Sequence, residues 1–157
     1  MSTKELILPD RYKQVSNIGD NIIRMRGERD FLKVRQIAIA RTINRLHKRL
    51  NKTEDEEERR AIRDMIRSSL FISSELRDYV NNFNGELERF KKGLISLKSI
   101  SKQPEAFQVM ANYIYEDTDY TIKNLLQARH YYDRMVSVLY NSIREDSTGT
   151  QTTDDEY

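Results

Sequence analysis

The sequence predicts an all-α protein, an elongated, antiparallel, coiled-coil-like bundle of three long helices. Only five Gly and two Pro occur in 157 residues, which leaves too few turn-forming residues for a β-sandwich or a barrel. Apolar residues recur at intervals of three and four along most of the chain, the spacing of one helix face. Residues 51–53 and 99–104 interrupt this pattern, so the chain divides into three helical parts of about forty residues each.

The first helix is predicted over residues 10–51, preceded by a short N-terminal arm at residues 1–9. Pro9 and Asp10 mark the start, because Pro and a capping Asp favour the first positions of a helix. The apolar residues of the arm are expected to dock on a protein surface; they are Leu6, Ile7 and Leu8.

A regular apolar seam supports the first helix. Alternate steps of three and four from Val15 to Leu50 meet apolar residues at nine of eleven positions, the heptad pattern of a coiled coil. The two exceptions are Arg29 and Gln36. Polar residues in a seam can fix the helix register or the number of subunits at a cost in stability, so we expect that role for both.

The second helix is predicted over residues 54–99. Thr53 and Glu56 have the spacing of a capping box, in which each side chain binds an amide at the helix start. The seam runs from Ile62 to Leu97 but takes two successive steps of four near residues 81–85, Asn-Asn-Phe-Asn-Gly. These residues have poor helix propensity, so we expect a kink there, with a loop as the alternative.

The third helix is predicted over residues 104–145, starting at Pro104, because Pro suits the first helical position. Its seam, from Phe107 to Ser142, is apolar at eight of eleven positions. Residues 146–157 are rich in Ser, Thr, Gly and Asp and form a predicted flexible acidic tail.

Several apolar and aromatic residues lie outside the seams and indicate an interface. On the second helix they either widen its buried face, which would make it the central helix, or form an interface; they are Ile66, Leu70, Phe71, Val80, Ile95 and Ile100. Six of the nine Tyr lie in the third helix, and four of these lie off its seam: Tyr113, Tyr120, Tyr131 and Tyr140. These four are candidate contacts for a protein partner, which could be a second copy of the chain.

Basic residues are concentrated in the first helix. Residues 11–52 contain twelve Lys or Arg and three acids, whereas residues 53–157 contain fourteen and twenty. One interpretation is pairing between helices: an antiparallel fold about residue 53 places Arg29 beside Glu75 and Asp78. Exposed pairs of this kind contribute at most ~1 kcal/mol each.

The same interpretation brings the acidic residues of the segment 116–119 level with Arg24 and Arg26. The alternative is that the basic residues exceed what the bundle neutralises and bind a polyanion through its phosphates, without reading sequence. They are spread around the helix, and the candidates are Arg24, Arg26, Lys33, Arg35, Arg41, Arg45, Lys48, Arg49 and Lys52.

The composition excludes several kinds of chemistry. With no Cys, the chain has no disulfide, thiolate metal site or Cys nucleophile. The two His, His47 and His130, have no neighbours that indicate catalysis, and no metal or cofactor is expected. No segment has the length of a membrane span or the apolar core of a signal peptide. We therefore expect a cytoplasmic, non-enzymatic protein.

Arg41 and His47 are separated by five residues, and this spacing resembles the Arg-x4–6-His motif of the HEPN-type helical ribonucleases. The resemblance implies a dimeric nuclease in which His transfers a proton and Arg binds phosphate. Two features depart from it: Thr42 stands where the family usually has Asn or Asp, and the two side chains are about 120° apart around an ideal helix.

The segment 104–111, Pro-Glu-Ala-Phe-Gln-Val-Met-Ala, is similar to the opening of the oligomerising helix in small terminase subunits of tailed phages. That resemblance implies a ring that acts beside DNA. The favoured function is a helical assembly or adaptor protein that acts through long helix faces, as a homo-oligomer or a subunit of a larger assembly. The alternatives are a nucleic-acid accessory protein of the packaging or replication type and, third, the nuclease.

Overall fold

The computed structural model describes residues 3–147, and the side chains of residues 13–144. Three helices follow one another: α1 (Thr3–Lys52), α2 (Glu56–Ser99) and α3 (Pro104–Ser147). They pack against each other through a shared apolar core, and this part of the chain contains no strand. The all-α three-helix fold predicted from the sequence is therefore confirmed.

Both ends of the helical region differ from the expected bounds. α1 begins at Thr3, so residues 3–9 continue the helix instead of forming an arm. Residues 4–8 are Lys, Glu, Leu, Ile and Leu, whose helix propensity outweighs the hydrogen bond that Pro9 cannot donate. The side chains of residues 6–8 lie outside the described part, so their docking stays a prediction. α3 includes residues 146 and 147 of the predicted tail, and residues 148–157 lie outside the described part.

The start of α2 is capped by Asp55, not by Thr53. The Asp55 carboxylate accepts a hydrogen bond from the Glu58 amide at 2.9 Å. Thr53 serves the preceding helix, because its hydroxyl donates to the carbonyl oxygen of Arg49 at 2.7 Å. The predicted capping box of Thr53 and Glu56 is therefore wrong, and α2 begins at Glu56. A carboxylate at this N-terminus also interacts favourably with the helix dipole.

Arg59 links the start of α2 to the end of α1. Its guanidinium Nη1 donates to the carbonyl oxygens of Leu50 at 2.7 Å and of Thr53 at 2.9 Å. The last carbonyls of a helix have no partner within that helix. Arg59 binds one such group, the Leu50 carbonyl, together with the Thr53 carbonyl in the connection, and so fixes the short connection between the helices.

Backbone hydrogen bonds run along the second connection. The amides of Ser101 and Gln103 donate to the carbonyl oxygens of Lys98 and Ile100, at 3.3 and 3.0 Å. α3 then begins at Pro104, where the missing N–H leaves no hydrogen bond unmade.

α2 is helical at every residue from Glu56 to Ser99, so the loop considered at residues 81–85 is absent. Phe83 is buried, and Asn84 accepts a hydrogen bond from Arg29 of α1 at 2.9 Å. Packing against neighbouring helices supplies most helix stability in proteins. These tertiary contacts therefore outweigh the poor helix propensity of the Asn and Gly residues.

The helices form two compact units, and each helix contributes a part to both. Unit 1 contains α1 up to Asp30 together with Asn81–Ala128, and unit 2 contains Phe31–Val80 together with α3 from Arg129 onward. The division within α2 falls next to the double step of four in its seam. The sequence predicted one domain and did not predict this division.

Unit 1 has an apolar core built from all three helices. Its fully buried or nearly buried side chains include Ile18, Ile22, Met25, Phe83, Leu87, Phe90, Leu97, Phe107, Ala111, Ile114, Ile122 and Leu125. Thr118 is buried among them; its hydroxyl donates to the Tyr115 carbonyl at 2.7 Å and accepts from the Asn21 amide at 3.0 Å. The buried hydroxyl therefore has both its partners.

The core of unit 2 is also formed by the three helices. Its buried residues are Leu32, Ile39, Thr42, Ile43, Leu46, Ile62, Met65, Ile66, Ser69, Ile72, Leu76, Val80, Tyr132, Val136, Leu139 and Ile143. The α1 residues among the apolar positions follow the predicted heptad seam. Those of α3 follow it only in part, because after Thr118 three buried positions lie one residue later, while Leu125, Tyr132 and Leu139 keep the predicted positions.

At three places the buried side chain of α3 is one residue later than predicted: Ile122, Val136 and Ile143 are buried. The predicted Thr121 and Met135 are half-buried, and Ser142 is exposed. Two successive steps of four, from Ile114 to Thr118 to Ile122, produce this change. α3 therefore has a stutter that the sequence prediction placed only in the second helix.

The additional apolar residues predicted on the second helix differ in their burial. Ile66 and Val80 are buried in the core of unit 2, and Ile100 is half-buried at the second connection. The side chains that remain exposed are Leu70, Phe71 and Ile95.

Candidate functional site

Arg29 is a polar residue in the core seam of unit 1 and is partnered there. Its guanidinium binds Asn84 at 2.9 Å and Asp30 at 3.0 Å. Glu75 and Asp78 are not among the partners of Arg29, so that pairing is wrong. The simple fold line placed Arg29 about two helical turns too early along α2.

Glu75 and Asp78 instead lie near the Tyr132 ring in the core of unit 2. Burial raises the pKa of Tyr132, and the charge of Glu75 raises it further, with a smaller effect of Asp78. Tyr79 packs on this ring at 5.5 Å between centroids, and burial also raises the pKa of Tyr79. Gln36 is half-buried in the same unit, and its role in register stays a prediction.

The acidic residues of α3 do not pair with Arg24 or Arg26. Asp117 binds Arg89 of α2 at 2.6 Å, and Asp119 binds Lys123 of its own helix at 3.2 Å. Arg24 and Arg26 are exposed and form no ion pair with any described residue of unit 1. The expected charge pairing between α1 and α3 at this level is therefore wrong, because Arg89 and Lys123 lie closer.

The four candidate interface tyrosines are divided between the two units. Tyr113 and Tyr120 are exposed on α3 of unit 1, seven residues apart and so on one helix face. Tyr131 is 59% exposed on α3 of unit 2, where its ring lies 5.2 Å from that of Tyr132. Tyr140 is half-buried in the same unit.

An open groove of about 830 Å³ lies between α2 and α3 of unit 2. Its apolar lining is Phe71, Ile72, Tyr131, Met135, Val138 and Leu139. Phe71 is 58% exposed and Val138 63%, so two large apolar side chains in addition to Tyr131 face solvent at the groove.

Two arginines border the groove, one from each helix. Arg67 forms an exposed ion pair with Asp64 at 3.4 Å, within α2. Arg134 is exposed and forms no ion pair with any of the residues the structure describes. The groove therefore combines an apolar floor with a positively charged edge.

Sequence reasoning identified Phe71 and Tyr131 but missed Val138. A signal for it exists in the doublets Tyr131–Tyr132, Met135–Val136 and Val138–Leu139, which recur at steps of four and three. Neighbouring residues on a helix point about 100° apart. One member of each doublet therefore enters the core while the other lies on the groove side.

The candidate polyanion-binding residues of α1 do not form one group. Arg35 is half-buried in unit 2: it pairs with Asp133 at 3.1 Å and lies 4.9 Å from the centre of the Phe31 ring. The guanidinium of Arg129 lies 4.0 Å from the centre of the same Phe31 ring. Arg49 pairs with Glu58 at 3.5 Å. Arg35 and Arg49 therefore serve contacts within unit 2.

The remaining candidates in unit 2 are exposed: Lys33, Arg41, Arg45, Lys48 and Lys52. Four of them, from Arg41 to Lys52, are separated by four, three and four residues, so they share the helix face opposite the buried seam. The expectation that the basic residues are spread evenly is therefore wrong for this part of α1. We call these four residues the basic row: Arg41, Arg45, Lys48 and Lys52.

The two histidines lie on exposed surfaces. Arg41 and His47 are both exposed on α1, six residues apart and so on different sides of the helix. His130 is exposed on α3. Within the described residues, no three His, Asp or Glu side chains form a group that could hold a metal ion. No helix in this part of the chain is both long and apolar enough to cross a membrane.

The chain matches no known protein family, no curated protein and no solved structure.

Proposed function

We propose that the protein is a helical adaptor, and that unit 2 binds an amphipathic helix of a partner protein in the groove between α2 and α3. The observation that carries this proposal is the side-by-side exposure of Phe71, Tyr131 and Val138 along that groove. Single exposed apolar residues are common on protein surfaces, but a contiguous patch in a concave site is typical of interaction sites.

The shape of the groove suits a helix. Two neighbouring helices form its walls, and an amphipathic helix binds such a groove with residues spaced i, i+4 and i+7. Burial of one large apolar side chain contributes about 1.5–3 kcal/mol. Three such side chains contribute about 4.5–9 kcal/mol, which is of the same order as the about 4–15 kcal/mol cost of association, so a specific complex also needs polar and charged contacts around them.

Charge indicates the chemistry of the partner. Arg67 and Arg134 border the groove from opposite helices, and Arg134 has no acidic partner among the described residues. A partner helix with Glu or Asp beside its apolar face would pair with both arginines. Charge complementarity of this kind speeds association and selects among partners.

A pair of designed peptides tests the proposal. Both are about 18 residues long and helical with Leu at i, i+4, i+7 and i+11, one with flanking Glu and the other with flanking Lys. We expect fluorescence anisotropy to detect binding of the Glu peptide and at least tenfold weaker binding of the Lys peptide. Equal affinity, or no binding of either peptide, would contradict the proposed partner chemistry.

Phe71 and Leu70 provide matched variants on α2. Both are exposed, 58% and 51%, but only Phe71 lines the groove. Phe71→Gln should weaken binding of the Glu peptide roughly 10- to 100-fold, since a lost burial of about 1.5–3 kcal/mol corresponds to that range. Leu70→Gln should leave the affinity unchanged. An equal effect of the two variants would contradict the groove as the binding site.

The mass of the protein in solution distinguishes a partner helix from a second copy of the chain. Sedimentation of the unmodified protein and of the Phe71→Gln variant should give the same mass. A larger mass for the unmodified protein alone would mean that a second copy occupies the groove, which would overturn binding of a separate partner.

A further inference from the structure

Unit 2 has a second unassigned surface, on the outer face of α1. Residues 31–53 contain seven Lys or Arg and no acidic residue. The basic row, defined above as four of these cations, is exposed throughout. A helix rises 1.5 Å per residue, so the row extends over about 16 Å from Arg41 to Lys52.

The nearest acidic residues are already engaged or lie at one end of the row. Glu58 pairs with Arg49 at 3.5 Å, Glu56 pairs with Arg63 at 2.9 Å, and Asp55 caps α2. Lys52 is closest in sequence to this acidic run and should contribute least. Arg41 and Lys48 lie further along α1 and form no ion pair with any described residue.

We propose that the basic row binds the phosphate backbone of a nucleic-acid duplex. A duplex carries about one negative charge per 1.7 Å of its axis, so a 16 Å row faces more phosphates than it has cations. Contacts from Lys and Arg to phosphate position a protein on a duplex but carry no sequence information. Binding through this row therefore tolerates any base sequence.

Within the row itself the composition disfavours a membrane as the ligand, whereas exposed Val34 and Ile37 precede Arg41 on the same face. Helices that lie in a membrane interface combine Lys and Arg with large apolar residues such as Trp, Phe or Leu. Between Arg41 and Lys52, the outward positions beside the row are Asn44, His47 and Asn51, and no large apolar side chain is exposed in this stretch. Phosphates that can be reached without insertion fit this surface better.

Two variants of equal charge test the proposal. The first replaces the row with Gln, as Arg41→Gln, Arg45→Gln, Lys48→Gln and Lys52→Gln. The control replaces four exposed cations of α2 instead, as Arg60→Gln, Arg77→Gln, Lys92→Gln and Lys98→Gln. Each variant lowers the formal net charge of +2 by four, so a difference between them reports position and not total charge.

The measurement is fluorescence anisotropy of labelled duplexes of about 20 base pairs, one of DNA and one of RNA, in roughly 25–200 mM salt. For the unmodified protein, log K against log salt should have a slope of about −3.6 if the four cations each contact one phosphate. The control should keep this slope, and the row variant should lose it and bind at least tenfold more weakly than the control.

A variant with two substitutions keeps the proposal testable if the variant with four substitutions does not fold. Arg41→Gln with Lys48→Gln alters two exposed residues that form no ion pair with any described residue. It should reduce the magnitude of the slope by about 1.8. Far-UV circular dichroism checks that each variant remains helical.

Several results would overturn the proposal: no binding at about 25 mM salt, an equal loss in the row variant and the control, or binding to anionic vesicles that a duplex does not compete away. The DNA and RNA arms identify which duplex supplies the phosphates. Phe71→Gln should leave duplex binding unchanged, so failure here and failure of the groove proposal are distinguishable.

Discussion

Replacing the helical glycines with alanine tests whether α2 is continuous where its sequence is weakest. Gly27 in α1 and Gly85 in α2 have nothing within 4 Å of the position that a Cβ would occupy. At Gly93 the same Cβ would lie 3.3 Å from the Cδ1 atom of Ile114 in α3. None of the three has the positive φ that favours glycine.

Helix propensity and this geometry determine the expected sizes. Alanine is more favourable than glycine by about 0.8–1 kcal/mol in a helix interior. Gly27→Ala and Gly85→Ala together should therefore add about 2 kcal/mol to the free energy of unfolding. For a chain of this size, that corresponds to a rise in Tm of about 4–8 °C. Gly93→Ala should gain little, because Ile114 must move to admit the methyl group.

Thermal and urea unfolding followed by circular dichroism at 222 nm measure these changes. The decisive variant is Gly85→Ala, because Gly85 ends the segment that the sequence marked as a kink or a loop. A lower Tm for this variant would mean that residue 85 is not in a regular helix. A Gly93→Ala gain as large as that of Gly27→Ala would refute the close approach of α2 and α3 at Ile114.

Three further predictions concern stability. Thr118→Val should cost about 1–3 kcal/mol in urea unfolding, because the part-buried Asn21 amide loses its acceptor; no change would mean that this bond is not formed. Asp55→Ala should cost about 1 kcal/mol through loss of the cap, while Asp55→Asn should cost much less. Burial raises the pKa of Tyr132 and Tyr79 above 10.0. Below that pH the two side chains are neutral in the folded and in the unfolded protein, so their stabilising effect on the fold is fully present. Above pH about 10 the unfolded chain loses these protons first, so the urea midpoint should fall, and it should fall less in Tyr132→Phe.

The sequence predicted the helices better than their ends. The apolar seam of α1 was predicted correctly from Ile18 to Leu46, because its heptads are regular and only one face of the helix is continuously apolar. The cap of α2 was wrong because Thr53 and Asp55 are both good capping residues. The choice depends on the Arg49 carbonyl, which takes the Thr53 hydroxyl and which no local pattern reveals.

The surfaces were harder to predict than the core, because they depend on how the helices face each other. Phe71 was recognised as a surplus apolar residue, but its groove needs α3 beside it at Tyr131 and Val138. Arg35 and Arg41 looked alike in the sequence. Only the approach of Asp133 separates a cation used within unit 2 from one that is exposed.

The bonds of Arg59 to the end of α1 imply that the two interhelical connections differ in their tolerance of inserted chain. Insertion of a reporter peptide after Thr53 would separate the Arg59 guanidinium from the carbonyl oxygens of Leu50 and Thr53. The segment 100–103 shows no comparable guanidinium bond to the end of a helix among the described residues; the bonds of its backbone are local turn bonds. It is therefore the better position for a fluorescent label, an affinity tag or new chain termini made by circular permutation.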